Sequence, residues 1–488
     1  MLFNRTFHPD EANQAFTAGR LLETGSYTYQ PQDHHGPTLY YAAAALQKAA
    51  GHGDTASLDG TLLRCTPLVF AAMGLVFGIF ALKRLMRSFI PGAVFALLLG
   101  TAPFFAFFAT DFIQEMLLAC FLLMMYWAGS GYLLPGTKWK TGTWALFFGT
   151  AAGLAFATKE TCLISFAAAA IAATPFLAKC LTLERIRAHA RDGVLAILGF
   201  LVVSFIFYSD FGRDFHGVYN AFIAAPLAYL GRAAGDATAS TGANWHVHPW
   251  WWYASLLFGG KSIYSLASIA LAALAAVCVL ARGSGRATRF AFLYALALFA
   301  IHSILPYKTP WCMLPVVSAL ALAATLGVAD ALNRNRRHFA VVALFAAMAC
   351  GAQLTACVRM GRNPDATDIP CNYAAASPEV KGLAAIVDAA MKSPAAEPFI
   401  AVALPPEDTW PFPWYNRPWE PNTGYWTSFE DLAAVQKTGI KPSVVIVPME
   451  MGHLVQPIFP HLKHTKRFYM RPRIPERNVR GVRVRVFW

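Results

Sequence analysis

"LLRCTPLVFAAMGLVFGIFAL" occupies residues 62–82, and "KRLMR" follows it directly at 83–87. An apolar run of this length matches the roughly 20 residues that a helix needs to cross the hydrocarbon core of a bilayer. A basic cluster after such a run is typical of its cytoplasmic end. The stretch therefore predicts a membrane-spanning helix, and the same pattern recurs along the chain.

The composition supports a membrane protein throughout. Of the 488 residues, 56% are hydrophobic and only 14% are charged, with a mean hydropathy of +0.43, whereas soluble domains carry about 25% charged residues. The sequence predicts an all-α polytopic membrane bundle, with two of its runs (143–158 and 290–306) short enough to be tilted or partly re-entrant. The ten predicted spans cover 62–82, 90–109, 116–134, 143–158, 161–181, 193–210, 263–281, 290–306, 311–329 and 339–358.

Alternate loops are basic and set the predicted orientation. Five of them hold fifteen Lys and Arg residues, at 83–87, 138–140, 179–191, 282–289 and 334–338. The positive-inside rule places these loops in the cytoplasm, so the others, which include 1–61, 211–262 and 359–488, are expected outside. The basic residues of these loops account for much of the net charge of +13. The positive charge therefore does not indicate a nucleic acid as partner, and we expect a lipid bilayer instead.

Three domains are predicted: a first outer loop with an acidic motif (1–61), a transmembrane helical domain (62–358) and a small extracytoplasmic α/β domain (359–488). Nothing before Phe7 resembles a signal peptide. Either the first span draws the loop outward as a reverse anchor, or a first transmembrane helix precedes this sequence, and we favour the second.

The predicted C-terminal domain combines helices and strands. Helices are predicted from Ser377-Pro378-Glu379 and over 428–439, because capping residues, amphipathic spacing and a Gly stop occur there. Apolar runs at 399–404 and 443–448 predict buried strands, and the alternation in 482–488 predicts a half-exposed strand. Their order suggests a partly parallel sheet.

The first outer loop opens on the acidic pair Asp10 and Glu11. Pro9 suits the first turn of a helix, and acidic residues there face its positive end, while Gly25 is a natural stop. A capped surface helix explains this pattern. The alternative is functional, since a carboxylate at a membrane surface can act as a general base.

Charged residues recur in the other short outer loops. Asp111 and Glu115 stand four residues apart, on one helix face, and Lys159-Glu160 and Lys308 each lie between two apolar runs. Each has a structural explanation when it is taken alone: Asp111 and Glu115 could mark a helix start, and Lys159-Glu160 could form an interhelical ion pair. Lys308 could anchor the loop to lipid headgroups. Ionisable residues at one membrane depth usually line a pathway or cavity, so together they predict a site.

Several stretches resemble the GT-C-type membrane glycosyltransferases, which include protein O-mannosyltransferases and bacterial aminoarabinose transferases. The subgroup labelled flippase-activity-associated proteins is the most similar. The resemblance covers nearly the whole chain, and its motifs are "HPDEANQAFTAGRLLETGSYTYQPQDHHGPTLYY" (8–41), "FFATDFIQEMLLA" (107–119), "GLAFATKET" (153–161), "PYKTPW" (306–311) and "DTWPFPWYNRP…GYW" (408–426).

This resemblance implies transfer of a sugar from a polyprenyl-phosphate carrier to a glycan, lipid or protein acceptor on the outer face of the cytoplasmic membrane. It implies Asp10 as the catalytic base with Glu11 beside it, and a helix before the first loop. A non-catalytic factor that translocates lipid-linked saccharides is the alternative. The residues expected to bind substrate or the lipid phosphate are Lys159, Lys308, Glu160, Asp111, Glu115, His34, His35 and Arg232, with Arg64 as a weaker candidate.

No cofactor is assigned, although a divalent metal ion is left open. Adjacent His34 and His35 are poorly spaced to bind one ion together, and they can instead bind a sugar or orient Asp10. Aromatic clusters are predicted to be an interfacial belt at 250–252 and a packed loop core at 410–426, with sugar stacking as the alternative in both.

Overall fold

The structure is a computed structural model. It describes residues 2–31, 35–134, 139–177, 182–233, 246–260, 262–281, 284–332, 336–393, 398–436, 439–472 and 481–488.

Helices make up most of the described chain. They are α1 Pro9–Thr24, α2 Thr38–Ala49, α3 Gly60–Met86, α4 Ile90–Gly100, α5 Pro103–Phe108, α6 Glu115–Leu133, α7 Thr141–Phe156, α8 Cys162–Leu177, α9 Leu183–Tyr208, α10 Phe215–Tyr219, α11 Ala225–Ala233, α12 Trp252–Phe258, α13 Ile263–Leu280, α14 Arg286–Ile304, α15 Leu314–Leu332, α16 Arg336–Arg362, α17 Glu379–Met391, α18 Pro406–Thr409, α19 Phe412–Asn416, α20 Phe429–Gln436 and α21 Val455–Ile458. A π-helical segment, Asn220–Ala224, joins α10 to α11.

The predicted polytopic membrane bundle is confirmed. Within the described residues, seven helices are long and apolar enough to cross a membrane, and Ile90–Gly100 and Cys162–Leu177 are shorter apolar helices. The seven are Gly60–Met86, Glu115–Leu133, Glu184–Tyr208, Ile263–Leu280, Arg286–Ile304, Pro310–Leu332 and Phe339–Arg362. The chain is therefore a multi-pass membrane protein.

Three predicted spans differ from the helices observed. The run 90–109 is broken into α4 and α5, because Ala102 before Pro103 is extended (φ −64°, ψ 125°) and proline disfavours a helical residue before it. α14 begins at Arg286 and reaches 19 residues, so the run at 290–306 is not short. α9 begins at Leu183, so part of the predicted basic loop is helical.

α15 is the central helix of the bundle. α15 forms most of the span Pro310–Leu332, in whose most apolar stretch 94% of the residues are buried, and it packs against α4, α13, α14 and α16. The opposite extreme is α9, of which only 11% is buried, as expected for a helix whose sides face lipid.

α7 and α9 pack so closely that a side chain has no room at Gly149. A Cβ at this position would lie 1.8 Å from the carbonyl oxygen of Ala196. We expect Gly149→Ala to lower the free energy of unfolding by about 1–3 kcal/mol, since over-packing forces the backbones apart. Gly193→Ala on α9 is the control, because nothing lies within 4 Å of its Cβ. Equal thermal midpoints for both variants in detergent would contradict the close contact.

The C-terminal region forms a five-stranded sheet, as the sequence predicted in part. Its strands are β1 Ile400–Ala403, β2 Thr423–Trp426, β3 Val444–Pro448, β4 Thr465–Arg471 and β5 Val482–Phe487, in the order β2-β1-β3-β5-β4. β2, β1 and β3 are parallel, and β5 and β4 are antiparallel additions. The predicted helices are α17 and α20, whereas β2 and β4 were not predicted.

The aromatic predictions hold in part. Trp250 and Trp251 are exposed, as an interfacial belt requires, but Trp252 is buried and stacks on His248 with ring centroids 4.2 Å apart. In the C-terminal region Trp414 is buried and belongs to a packed core, as expected.

Candidate functional site

The motif-bearing loops meet at one end of the bundle, which we call the loop end. It comprises residues 2–31, 35–59, 109–114, 157–161, 246–251, 305–313 and 363–378, and the C-terminal sheet region packs on it. α1 begins there as predicted: His8 caps the helix, Pro9 is its first residue, and Gly25 ends it with a φ of 66°.

Glu11 is a fully buried carboxylate with saturated hydrogen bonding. Arg64 donates to it from Nε at 2.8 Å and from Nη2 at 2.6 Å, and the backbone amides of His8 and Phe112 each donate at 3.0 Å. Burial alone would raise the pKa of Glu11, but the charges of Arg64 and Arg5 prevail and lower it to about 2. Glu11 is thus an ionised part of the interior.

Asp111 lies beside this cluster. It accepts a hydrogen bond from Arg5 Nη2 at 2.7 Å, and the same nitrogen is 3.8 Å from Glu11. Burial and the negative charge of Glu11 raise the pKa of Asp111 well above its ordinary value. Two acids and two arginines therefore share one buried network, so Asp111 and Glu11 hold loops together.

Asp10 contrasts with Glu11, since 47% of its side chain is exposed. Its Oδ2 lies 3.8 Å from His8 Nδ1, and its backbone amide donates to that nitrogen at 3.1 Å. His8 Nε2 is 2.7 Å from the carbonyl oxygen of Tyr373, which assigns the proton of the imidazole to Nε2. Within the described residues Asp10 forms no ion pair with an arginine or lysine.

Two further histidines, His246 and His248, contact Tyr373. The hydroxyl of Tyr373 is 3.3 Å from His246 Nδ1 and 3.3 Å from His248 Nε2. Burial lowers the pKa of both histidines to about 4, although the charge of Asp10 opposes this at His246. At neutral pH the imidazoles of His246 and His248 are therefore uncharged.

Lys159 and Glu160 point to different partners. Lys159 forms a buried ion pair with Glu115. Glu160 accepts hydrogen bonds from the hydroxyl of Tyr29 and from His35 Nδ1, the latter at 2.9 Å. Burial would raise the pKa of Glu160, but His35 and these hydrogen bonds lower it to about 2.

Lys308 is a buried cation. Its ammonium donates to the carbonyl oxygen of Leu305, and its backbone amide donates to the carbonyl oxygen of His246 at 2.8 Å. Among the described residues it forms no ion pair with a carboxylate, and burial lowers its pKa. The charges of Lys308 and Lys159 both act on His302 of α14, so the two lysines belong to one region.

Most of the predicted site residues are therefore brought together at the loop end: Asp10, Glu11, His35, Asp111, Glu115, Lys159, Glu160 and Lys308. Arg64 joins them through Glu11. His34 lies outside the described residues, and so does the side chain of Arg232, whose backbone lies near the end of α11.

The sequence did not indicate some members of this arrangement. They are Arg5, Tyr29, His246, His248 and Tyr373. The motif "HVH" at 246–248, in a predicted outer loop, could have indicated His246 and His248 as site residues. Tyr373 had none, because it is one tyrosine among 17.

The described residues do not fit a bound metal ion. No group of three or more His, Cys, Asp or Glu side chains in them is arranged to hold one. The carboxylates of Glu11, Asp111 and Glu115 face arginine or lysine instead. A divalent ion stays a prediction, since His34 is not described.

Comparisons with known proteins find a shared fold. No family model and no curated protein matches the sequence. The crystal structure of ArnT from Cupriavidus metallidurans bound to undecaprenyl phosphate is similar over 99% of this chain and 94% of that chain, with a TM-score of 0.65 and 14% identity. The apo ArnT structure gives a TM-score of 0.63 at 14% identity over the same shares. A structure of the Archaeoglobus fulgidus oligosaccharyltransferase in complex with Zn and sulfate matches at a TM-score of 0.49 and 12% identity, over 92% of this chain and 65% of that chain.

The fold implied by the sequence motifs is thereby confirmed. Both the helical bundle and the C-terminal α/β region are matched in ArnT, an aminoarabinose transferase of GT-C type. The chain thus has the fold of the GT-C-type membrane glycosyltransferases.

Proposed function

We propose that this protein is a membrane glycosyltransferase that moves a sugar from a polyprenyl-phosphate carrier to an acceptor. The observation that carries the proposal is the contrast between two adjacent carboxylates. Glu11 is buried and bonded to Arg64, while Asp10 is half-exposed at the loop end and unpaired with any described arginine or lysine. Asp10 is thus free to take a proton, as a general base must.

The proposed reaction is a displacement at the anomeric carbon. The acceptor hydroxyl oxygen attacks this carbon, its proton passes to Asp10, and the bond from the carbon to the phosphate oxygen breaks. Polyprenyl phosphate leaves as a weak base, so no general acid is required. His8 and Glu11 act as positioning residues, because they fix the first turn of α1 on which Asp10 stands.

Positive charge near the leaving phosphate would stabilise the transition state. Lys308 is our first candidate, because a buried cation without a described carboxylate partner is costly unless an anion pairs with it. Lys159 is the second candidate, although Glu115 already pairs with it. Roles in substrate binding for Glu160, His35, Asp111, Glu115, His34 and Arg232 remain predictions.

We propose the outer face of the cytoplasmic membrane as the place of reaction. The basic loops predict the orientation, and the loops expected outside are those that meet at the loop end. The ArnT structure bound to undecaprenyl phosphate supports a polyprenyl-phosphate carrier as partner. The acceptor class, whether glycan, lipid or protein, is left open.

The test is transfer by the purified full chain in detergent. It is incubated with a radiolabelled mixture of polyprenyl-phosphate sugars and with envelope extract as the source of acceptors. We expect label to pass from the carrier to another molecule. Tight carrier binding without any loss of label, over several extracts, would instead favour a factor that translocates lipid-linked saccharides.

Replacing Lys308 should slow transfer strongly. We expect Lys308→Gln to lower kcat about 100-fold, as the loss of one preorganised electrostatic group does in other enzymes. Lys48→Gln is the control, because Lys48 is exposed on α2 at the same end of the bundle. Equal kcat values for Lys308→Gln and Lys48→Gln would remove Lys308 from the proposed site.

A further inference from the structure

A pocket that does not include Asp10 lies at the loop end, between the first loop and the C-terminal region. Its volume is about 470 Å³, within the usual range of ligand sites. Four separate segments line it: the start of the chain near Arg5, the turn from His52 to Thr61, Lys381 of α17, and the stretch from Trp414 to Arg417.

Among the described residues, the hydrogen bonds that two cations of this pocket donate all go to carbonyl oxygens. Lys381 Nζ donates to Asn4 at 2.7 Å, and Arg417 donates to Trp414 at 2.8 Å and to Leu58 at 2.9 Å. In the described part of the chain neither forms an ion pair with a carboxylate. Partial burial lowers the pKa of both groups, so each would gain from a bound anion.

The acids near the pocket act on its cations without forming ion pairs with them. Asp59 lines the pocket and its charge acts on Arg417, while its Oδ1 caps α3 by accepting from the amides of Thr61 and Leu62 at 2.6 and 3.0 Å. Arg5 also lines the pocket and is already paired with Asp111. Asp365, which acts on Lys381, accepts a hydrogen bond from the amide of Thr6.

Arg417 is held in place by a stack of side chains. Its Cζ lies 4.0 Å from the ring centroid of Trp414, which stacks on Phe7 at 4.5 Å. On Phe7 lies the guanidinium of Arg64, 4.4 Å from the ring centroid. The stack therefore connects the pocket to the buried Glu11–Arg64 pair, and it gives Arg417 a fixed position, which favours binding because little side-chain entropy remains to be lost.

From these contacts we infer that the pocket binds the anionic group of a saccharide, a phosphate or a carboxylate. The polar groups of His52 and Ser57 also line it, and they suit hydroxyl groups. Phe7 and Asp10 are three residues apart, so their Cα atoms are at most ~11 Å from each other. An acceptor anchored here can extend one or two sugar units toward Asp10. Binding of an anionic saccharide in this pocket does not depend on the proposed function. The step that makes this saccharide the acceptor rests on the proposed function.

The test is equilibrium binding of small probes to the full chain in detergent, by saturation-transfer NMR and calorimetry. Glucose 6-phosphate and glucuronate are the anionic probes, and methyl glucoside is the neutral one. We expect at least one anionic probe to bind about tenfold tighter than methyl glucoside, and the better of the two identifies the anionic group. Lys381→Gln and Arg417→Gln should each weaken its binding about tenfold, as the loss of a charge-assisted hydrogen bond does.

Lys392→Gln is the matched control, because Lys392 follows the same helix, α17, and pairs at the surface with Asp388. If Arg417→Gln unfolds the protein, the exposed Lys381 still decides the test. Equal binding of all three probes, or unchanged binding in Lys381→Gln, would overturn the inference. No carrier is present in this binding assay. Probe binding can therefore fail while sugar transfer from the carrier succeeds, and probe binding can succeed while transfer fails, so the two proposals are tested separately.

Discussion

Asp10→Asn should abolish sugar transfer while carrier binding is kept. The amide is isosteric but cannot accept the proton of the attacking hydroxyl, so we expect kcat to fall about 10²- to 10⁴-fold. Because Asp10 is half-exposed and forms no described ion pair with an arginine or lysine, the change should leave stability nearly unaltered. Carrier dissociation constants and kcat are measured on the same preparations.

The matched control is Asp431→Asn, the same change at an exposed carboxylate of α20, which accepts a hydrogen bond from the hydroxyl of Thr427 at 3.2 Å. This variant should transfer at the wild-type rate. Transfer by Asp10→Asn within a factor of three of the control would show that Asp10 only stabilises the first turn of α1.

The second large effect is expected at Arg64. Arg64→Met would leave the carboxylate of Glu11 buried without its main partner, and breaking such a pair costs about 3–5 kcal/mol. We expect a corresponding drop in the free energy of unfolding in mixed detergent, with no selective effect on carrier binding by the protein that remains folded. The double variant Glu11→Gln/Arg64→Met should be less destabilised than Arg64→Met.

Arg359→Gln serves as the control, since the Arg359–Asp368 pair is largely exposed and such pairs contribute about 1 kcal/mol or less. The pH dependence gives a second check. Folding lowers the pKa of Glu11 from its ordinary 4.5 to about 2. Its contribution is therefore complete above pH 4.5 and is lost as the pH falls toward 2. Equal destabilisation by Arg64→Met and Arg359→Gln would contradict the buried pair.

The helical bundle could be predicted from sequence because hydropathy is a local property. Each apolar run predicts a membrane span by itself, without information from distant residues, and the alternating charge of the loops predicts the orientation. The break at Ala102 was readable in principle, since Pro103 enforces it. β4 was missed because it is an edge strand with four of its seven residues exposed, which gives it the composition of a basic loop.

The division of labour between Asp10 and Glu11 could not be read from sequence. The two are neighbours with the same chemistry, and what separates them is Arg64, 53 residues further along the chain. The same holds for the two lysines. The sequence predicted the same role for Lys159 and Lys308, but in the described part of the chain Lys159 pairs with a carboxylate, that of Glu115, and Lys308 does not. Contacts between distant residues decide both cases.

The most direct measurement is the appearance of free polyprenyl phosphate in a single turnover. Wild-type protein in excess is mixed with one radiolabelled polyprenyl-phosphate sugar that it has been found to bind, together with acceptor extract. Lipid products are then separated over time. We predict that free polyprenyl phosphate accumulates with wild type and not with Asp10→Asn. Recovery of the intact lipid-linked sugar from both proteins, although both bind it, would contradict a transferase.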